Sequence, residues 1–86
     1  MRPNWTVMTA HAHLDAKGLL CPLPVLKARK RLQALTVGQT LRIEADDPAA
    51  IVDIPHFCTE AGHDLIEMSD QGQMQVYIVQ KGWPAG

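Results

Sequence analysis

Residues 40–48 have the sequence TLRIEADDP, and this stretch decides the fold. Its apolar side chains, Leu41, Ile43 and Ala45, alternate with polar ones, a pattern that predicts a half-buried β-strand. An Asp-Pro pair closes the stretch. Because a carboxylate can accept hydrogen bonds from the free N–H groups of a first helical turn, Asp47 is predicted to cap a helix that begins here. The stretch therefore predicts a strand that leads directly into a helix.

The segment after this stretch continues the helix and then returns to strands. Apolar residues recur at helical spacing up to Gly62, which predicts the C-terminal cap, and Pro55 predicts a kink or a break inside the helix. The apolar stripe consists of Ile51, Ile54, Cys58 and Ala61. Two further apolar segments, around residues 65–68 and 74–79, flank a turn at residues 70–72 and predict a hairpin.

The upstream segment predicts one more strand and one more helix. Ala12 and Leu14 alternate with polar neighbours from His11 onward, which indicates a short strand, and a helical period follows Cys21 and ends near Gly38. The stripe of this helix consists of Val25, Ala28, Leu32 and Leu35. The order is β-α-β-α-β-β. Because β-α-β crossovers are right-handed, we predict a two-layer α/β sandwich, with a four-stranded mixed sheet and both helices on one face.

The composition is that of one small folded domain. The chain has 86 residues, of which 47% are hydrophobic and 20% are charged, with a net charge of −1. This charge does not concentrate polyanions or anionic lipid around the protein. We expect a flexible lead-in at residues 1–10, a single domain at residues 11–82 and a tail at residues 83–86.

The two cysteines are expected to be free thiols. No apolar run has the length of a signal peptide or a membrane span, so we expect a cytoplasmic protein without membrane contact, in a reducing compartment. Cys58 lies on the apolar stripe of the second helix and is predicted to be a packed core thiol. The cysteines and histidines lack the close paired spacings of structural zinc, and we expect no metal site and no cofactor.

Cys21 has the position of a reactive thiol. A proline favours the first helical position, so Cys21 is predicted to be the N-cap of the first helix and Pro22 its first residue. The Leu23 amide would then donate to the sulfur, and the helix dipole and Lys17 would also favour the thiolate. These effects predict a lowered pKa for Cys21. The alternative is a small apolar residue at the start of a helix.

The residues around Cys21 also carry a resemblance to a known family. The pattern L-D-x-x-G-x-x-C-P-x-P, residues 14–24, resembles the signature of the TusA/SirA-like sulfur-carrier family. Further similarity lies in the sequences DDPA at residues 46–49, DIP at 53–55 and FC at 57–58, so that the resemblance extends over about residues 13–81.

The resemblance implies a β-α-β-α-β-β sandwich and a sulfurtransferase-type carrier. Cys21 would receive sulfane sulfur from a donor protein, such as a cysteine desulfurase or a rhodanese, hold it as a persulfide and pass it to an acceptor protein. The site would be shaped by Asp15, Gly18, Pro22, Leu23 and Pro24. Similar proteins serve transfer RNA thiolation, molybdenum-cofactor assembly or sulfur oxidation. Some members in thiolation carry a basic and an acidic residue where this chain has Leu20 and Leu23, so the pathway stays open.

A basic run on the first helix, Lys27, Arg29, Lys30 and Arg31, is a candidate docking surface. We predict that Lys17, Lys27, Lys30 and Arg31 contact acidic surfaces of sulfur donors and acceptors, although a solvated helix face has the same pattern. Direct binding of nucleic acid is not expected, because the chain lacks a broad basic surface and stacking aromatic residues. The alternative functions are a redox-sensing or regulatory thiol protein and an RNA-binding module. The protein is expected to be a monomer.

Overall fold

The fold is a two-layer α/β sandwich with the predicted order of elements. The computed structural model describes residues 10–83, so most of the predicted lead-in and most of the predicted tail lie outside the described residues. The elements are β1 (Ala12–Asp15), α1 (Leu23–Gln33), β2 (Thr40–Ala45), α2 (Ala50–Ala61), β3 (Asp64–Asp70) and β4 (Gln75–Gln80). The predicted fold class is confirmed.

The four strands form one mixed sheet in the order β1-β2-β4-β3. β1 pairs with β2 in parallel, as a β-α-β crossover requires, and β4 pairs in antiparallel fashion with both β2 and β3. The predicted hairpin is therefore confirmed, and Gln71 N–H donates to the Met74 carbonyl at 2.8 Å to close its turn. β3 extends to both sides of the predicted residues 65–68.

The hydrophobic core lies between one face of the sheet and both helices. Period-two alternation directs Leu41, Ile43 and Ala45 to this face, and all three are fully buried. The helices cover them with part of each apolar stripe, with Ala50 and with the ring of Phe57. The buried helical residues of this core are Ala28, Leu32, Ala50, Ile54, Phe57 and Cys58. The core thus joins both helices to the same sheet face.

Helix α1 is shorter than the predicted stripe because its last turn tightens. Ala34 and Leu35 donate to the carbonyls three residues earlier, at 3.1 Å each, so that the helix ends at Gln33. The Lys81 ammonium then donates to the Leu35 carbonyl at 2.7 Å. A cation at this end also compensates the negative end of the helix dipole.

Helix α2 begins later than predicted and ends where predicted. Its N-cap is Ala49, which makes no side-chain cap, so the predicted capping by Asp47 is wrong. Asp47 instead accepts from Ala49 N–H at 3.1 Å in the turn before the helix. The helix passes through Pro55 without a break, and Gly62 caps its C-terminus with φ of 81°.

The two edge strands of the sheet are β1, which is short, and β3, which is irregular. β1 has four residues. The pairing of β3 with β4 shifts between Leu65 and Glu67, which is a β-bulge, and Ile66 at this shift is exposed to solvent.

Candidate functional site

The loop between β1 and α1 positions Cys21 against the start of α2. Asp15, at the end of β1, accepts from Lys17 N–H at 3.0 Å and so turns the chain. Gly18 has φ of 83°, a left-handed conformation that favours glycine. Its N–H donates to Asp46 at 2.9 Å, which ties the loop to the end of β2. Asp15 and Gly18 therefore shape the loop that presents Cys21.

Cys21 is held by two carboxylates from the second half of the chain. Its N–H donates to Asp47 Oδ2 at 2.7 Å, and its Sγ–H donates to Asp53 Oδ2 at 2.7 Å. The side chain is nevertheless exposed to solvent. These partners lie 26 and 32 positions away in sequence. Sequence periodicity carries no signal for such contacts, so Asp53 was not among the predicted site residues.

The predicted N-cap geometry of Cys21 is wrong. Helix α1 begins at Leu23, its N-cap is Pro22, and Pro24 lies buried in the first turn. The Leu23 N–H donates to the Leu20 carbonyl at 2.9 Å, because residues 20–23 form a turn before the helix. This amide is therefore not available to the sulfur. The Cys21–Pro22 peptide bond is cis.

The predicted lowering of the Cys21 pKa is also wrong. The hydrogen bond to Asp53, some desolvation and the negative charges of Asp53 and Asp47 raise the pKa of Cys21 above its ordinary value. The cause is that the thiol, unlike the thiolate, can donate a hydrogen bond to a carboxylate. In the free protein at neutral pH, Cys21 is therefore mainly a protonated thiol.

The predicted docking cations separate into two pairs. Lys17 lies 3.5 Å from Glu44 in an ion pair, and Arg31 donates to the His13 carbonyl at 2.6 Å, so both contact the protein's own sheet. Lys17 thus does not supply the expected charge beside Cys21. Lys27 and Lys30 are exposed on α1 and form no ion pair within residues 10–83.

A groove of about 690 Å³ opens beside Cys21 between the two helices. Val25 and Leu32 from α1 line it, together with Phe57 from α2. The Arg29 guanidinium lies over the Phe57 ring, 5.4 Å from its centroid, in a cation–π arrangement. In the sequence, Arg29 is recognisable only as a member of the basic run. Arg29 follows Val25 by four residues and so lies on the same face of α1. This spacing was the signal that could have placed Arg29 beside the groove.

His63 lies near this aromatic contact. Its ring centroid is 5.6 Å from that of Phe57, and its Nδ1 accepts from Gly82 N–H at 3.1 Å. Burial and the neighbouring Lys81 lower the pKa of His63. A neutral ring is the form that can accept at Nδ1.

Cys58 differs from Cys21 in its exposure to solvent. It is 2% exposed in the core, as predicted, and burial and the nearby Asp64 raise the pKa of Cys58 to about 11. A buried thiol of this kind is inert. Within the part of the chain that the structure describes, no cluster of three or more His, Cys, Asp or Glu side chains has a metal-binding arrangement.

No helix within residues 10–83 has the length and apolar character needed to cross a membrane.

Comparisons with known proteins agree with this fold and identify a family. The family model described as Sulfurtransferase TusA matches residues 12–81. A solved structure, the SirA-like protein from Desulfitobacterium hafniense, is similar with a TM-score of 0.71 and 20% sequence identity. The alignment covers 84% of this chain and 99% of that chain, and it shows a shared fold. On the family match, which covers most of the chain, this protein belongs to the TusA sulfurtransferase family.

Proposed function

We propose that this protein is a sulfur carrier that accepts sulfane sulfur as a persulfide on Cys21 and passes it to an acceptor protein. Family membership supports sulfur transfer in general. The observation that carries the finer proposal is the exposure of the Cys21 thiol beside an open groove, whereas Cys58 is buried. Within residues 10–83, Cys21 is the thiol that a partner protein can reach.

The loading step is a transfer between two thiols. The Cys21 sulfur attacks the terminal sulfur of a persulfide on the donor, R–S–SH. A new Sγ–S bond forms, the donor S–S bond breaks, and its electron pair leaves with the donor cysteine as a thiolate. The proton from Cys21 neutralises that thiolate. The step needs no external oxidant, and delivery to an acceptor thiol is the same reaction in reverse.

Exposed apolar side chains near the sulfur support contact with protein partners. Leu20 is 70% exposed and Leu23 is 44% exposed, on either side of Cys21 and Pro22. Leu26 follows one turn later on α1 and is also exposed. Apolar contacts of this kind suit the desolvated centre of a protein interface. A cysteine desulfurase or a rhodanese would be the donor, and the acceptor would serve transfer RNA thiolation, molybdenum-cofactor assembly or sulfur oxidation.

Mass spectrometry of the intact protein tests the proposal. After incubation with a cysteine desulfurase and cysteine, the mass should rise by one sulfur atom, and a reducing thiol should remove it. A redox-sensing thiol would show oxidation by peroxide without gaining sulfur from the desulfurase. Binding to transfer RNA that weakens steeply with salt, in the absence of sulfur loading, would favour the RNA-binding alternative.

We expect the exposed lysines of α1 to affect the encounter with a donor and not the chemistry of Cys21. Replacing Lys27 and Lys30 with Gln should slow loading from a protein donor roughly three- to tenfold at low ionic strength, because surface charges steer association. The rate of Cys21 alkylation by iodoacetamide should not change. Arg31 is left unaltered because it bonds the His13 carbonyl.

Salt provides the control for this double variant. The difference in loading rate should shrink as ionic strength rises and screens the charges. Equal loading rates at low salt would show that the two lysines form only a solvated helix face.

A further inference from the structure

Asp53 makes a contact that exists in only one state of the carrier. Its Oδ2 accepts a hydrogen bond from the Cys21 thiol at 2.7 Å, so the contact requires a proton on Sγ. When Sγ carries a second sulfur, the inner sulfur is bonded to carbon and sulfur and has no proton to donate. Loading therefore breaks this hydrogen bond.

The loaded state also acquires a repulsion that the empty state lacks. A persulfide is a stronger acid than the corresponding thiol, so its terminal sulfur tends to be an anion at neutral pH. Two carboxylates already disfavour a negative charge on the sulfur of Cys21. One belongs to Asp53 at the start of α2, and the other belongs to Asp47 in the preceding loop. An anionic terminal sulfur beside them is disfavoured by like charge.

Cationic groups near the groove are engaged elsewhere. Arg29 lies over the Phe57 ring, and the Lys81 ammonium donates to the Leu35 carbonyl at 2.7 Å. Lys17, on the loop before Cys21, pairs with Glu44. The charges that act on Cys21 from residues 10–83 are therefore those of the two aspartates.

We propose that Asp53 stabilises the empty carrier relative to the loaded carrier and so favours delivery of sulfur over its retention. The proposal rests on the proposed function. In delivery, the carrier persulfide and an acceptor thiol, R–SH, become the carrier thiol and R–S–SH. The Sγ–S bond breaks, the R–S bond forms, and the acceptor's proton returns to Sγ. The hydrogen bond from Sγ–H to Asp53 then re-forms and stabilises the empty carrier, which is the product of delivery. Asp53 acts through Cys21 and is therefore a positioning residue.

An exchange equilibrium with a small thiol measures this bias directly. The carrier is incubated with glutathione persulfide and glutathione at a fixed ratio near neutral pH, and mass spectrometry gives the ratio of loaded to empty protein. Asp53→Asn should raise that ratio roughly two- to fivefold, the range expected for an exposed charged contact. An amide lacks the repelling charge and can itself donate to the persulfide anion.

Glu67→Gln is the matched control. It removes one negative charge from β3, where Glu67 is exposed and does not line the groove beside Cys21. This variant should exchange sulfur like the wild-type protein. Asp53→Ala provides a second variant without the carboxylate and should shift the ratio in the same direction, and circular dichroism verifies that each variant is folded.

A pH profile provides a readout that a purely structural role would not change. The inflection in the rate of Cys21 alkylation by iodoacetamide should move to lower pH in Asp53→Asn, because the thiol loses the acceptor that holds its proton. An unchanged profile together with an unchanged exchange ratio would overturn the inference while leaving the proposed function intact. A wild-type protein that takes no sulfur from glutathione persulfide or from a desulfurase would overturn both.

Discussion

Cys21→Ser should abolish sulfur loading, whereas Cys58→Ser should still load. A serine hydroxyl cannot form the persulfide that the transfer requires, and Cys21 is the exposed thiol of residues 10–83. Cys58 is 2% exposed in the core, and its chemistry takes no part in the proposed transfer. The measurement is the intact mass of each variant after incubation with a cysteine desulfurase and cysteine.

The Cys58 variant should lose stability instead of function. A hydroxyl in place of this buried sulfur costs about 1–3 kcal/mol if it finds no hydrogen-bond partner, which urea denaturation would detect. Two results would contradict the assignment of roles: sulfur gained by Cys21→Ser, or loss of loading by a folded Cys58→Ser protein.

With limiting iodoacetamide at neutral pH, Cys21 should be alkylated at least about a hundredfold faster than Cys58. The structure raises the pKa of both thiols, so acidity alone does not separate them. Access does, because Cys21 is exposed and Cys58 is buried. With a pKa of about 11, Cys58 is a thiolate in only about one molecule in ten thousand at pH 7, which slows it further.

Peptide mapping after short reaction times would give the two rates. Both should rise with pH, because a raised pKa keeps each thiol protonated until the pH approaches that pKa. In urea the core opens, and the rates should converge, since unfolding removes both the burial of Cys58 and the Asp53 contact of Cys21. Comparable rates in the folded protein would contradict the burial of Cys58.

Local patterns in the sequence were sufficient for the sheet and the core. The alternation of Leu41, Ile43 and Ala45 predicted the buried face of β2, and the position of Gly62 predicted the end of α2. Both features depend on the period of the chain or on the conformation of a single residue.

The helix starts were less predictable. The Leu23 N–H, expected to donate to the sulfur of Cys21, donates to the Leu20 carbonyl instead. The Ala50 N–H, at the start of α2, donates to the main-chain carbonyl of Asp47 and not to its side chain.

The position of the reactive cysteine was predictable, but its environment was not. The motif of residues 14–24 indicated Cys21, and neighbours close in sequence suggested a stabilised thiolate. The strongest effect on the sulfur comes from Asp53, which lies 32 positions away and reaches it only when α2 packs beside α1. An electrostatic environment built by tertiary contacts has no periodic signature in the sequence. The error in the predicted pKa therefore followed from considering only local partners.

The irregular outer strands of the sheet bear on how the protein behaves at high concentration. Unpaired N–H and C=O groups at a sheet edge can recruit a strand from another molecule and begin aggregation. Here one edge is the four-residue strand β1, which offers few such groups. The other edge, β3, is interrupted by the bulge between Leu65 and Glu67 and carries Asp64 and Asp70 at its ends. The short length of β1, and the bulge and acidic side chains of β3, oppose edge-to-edge pairing and so lower the tendency of the open sheet to form fibrils.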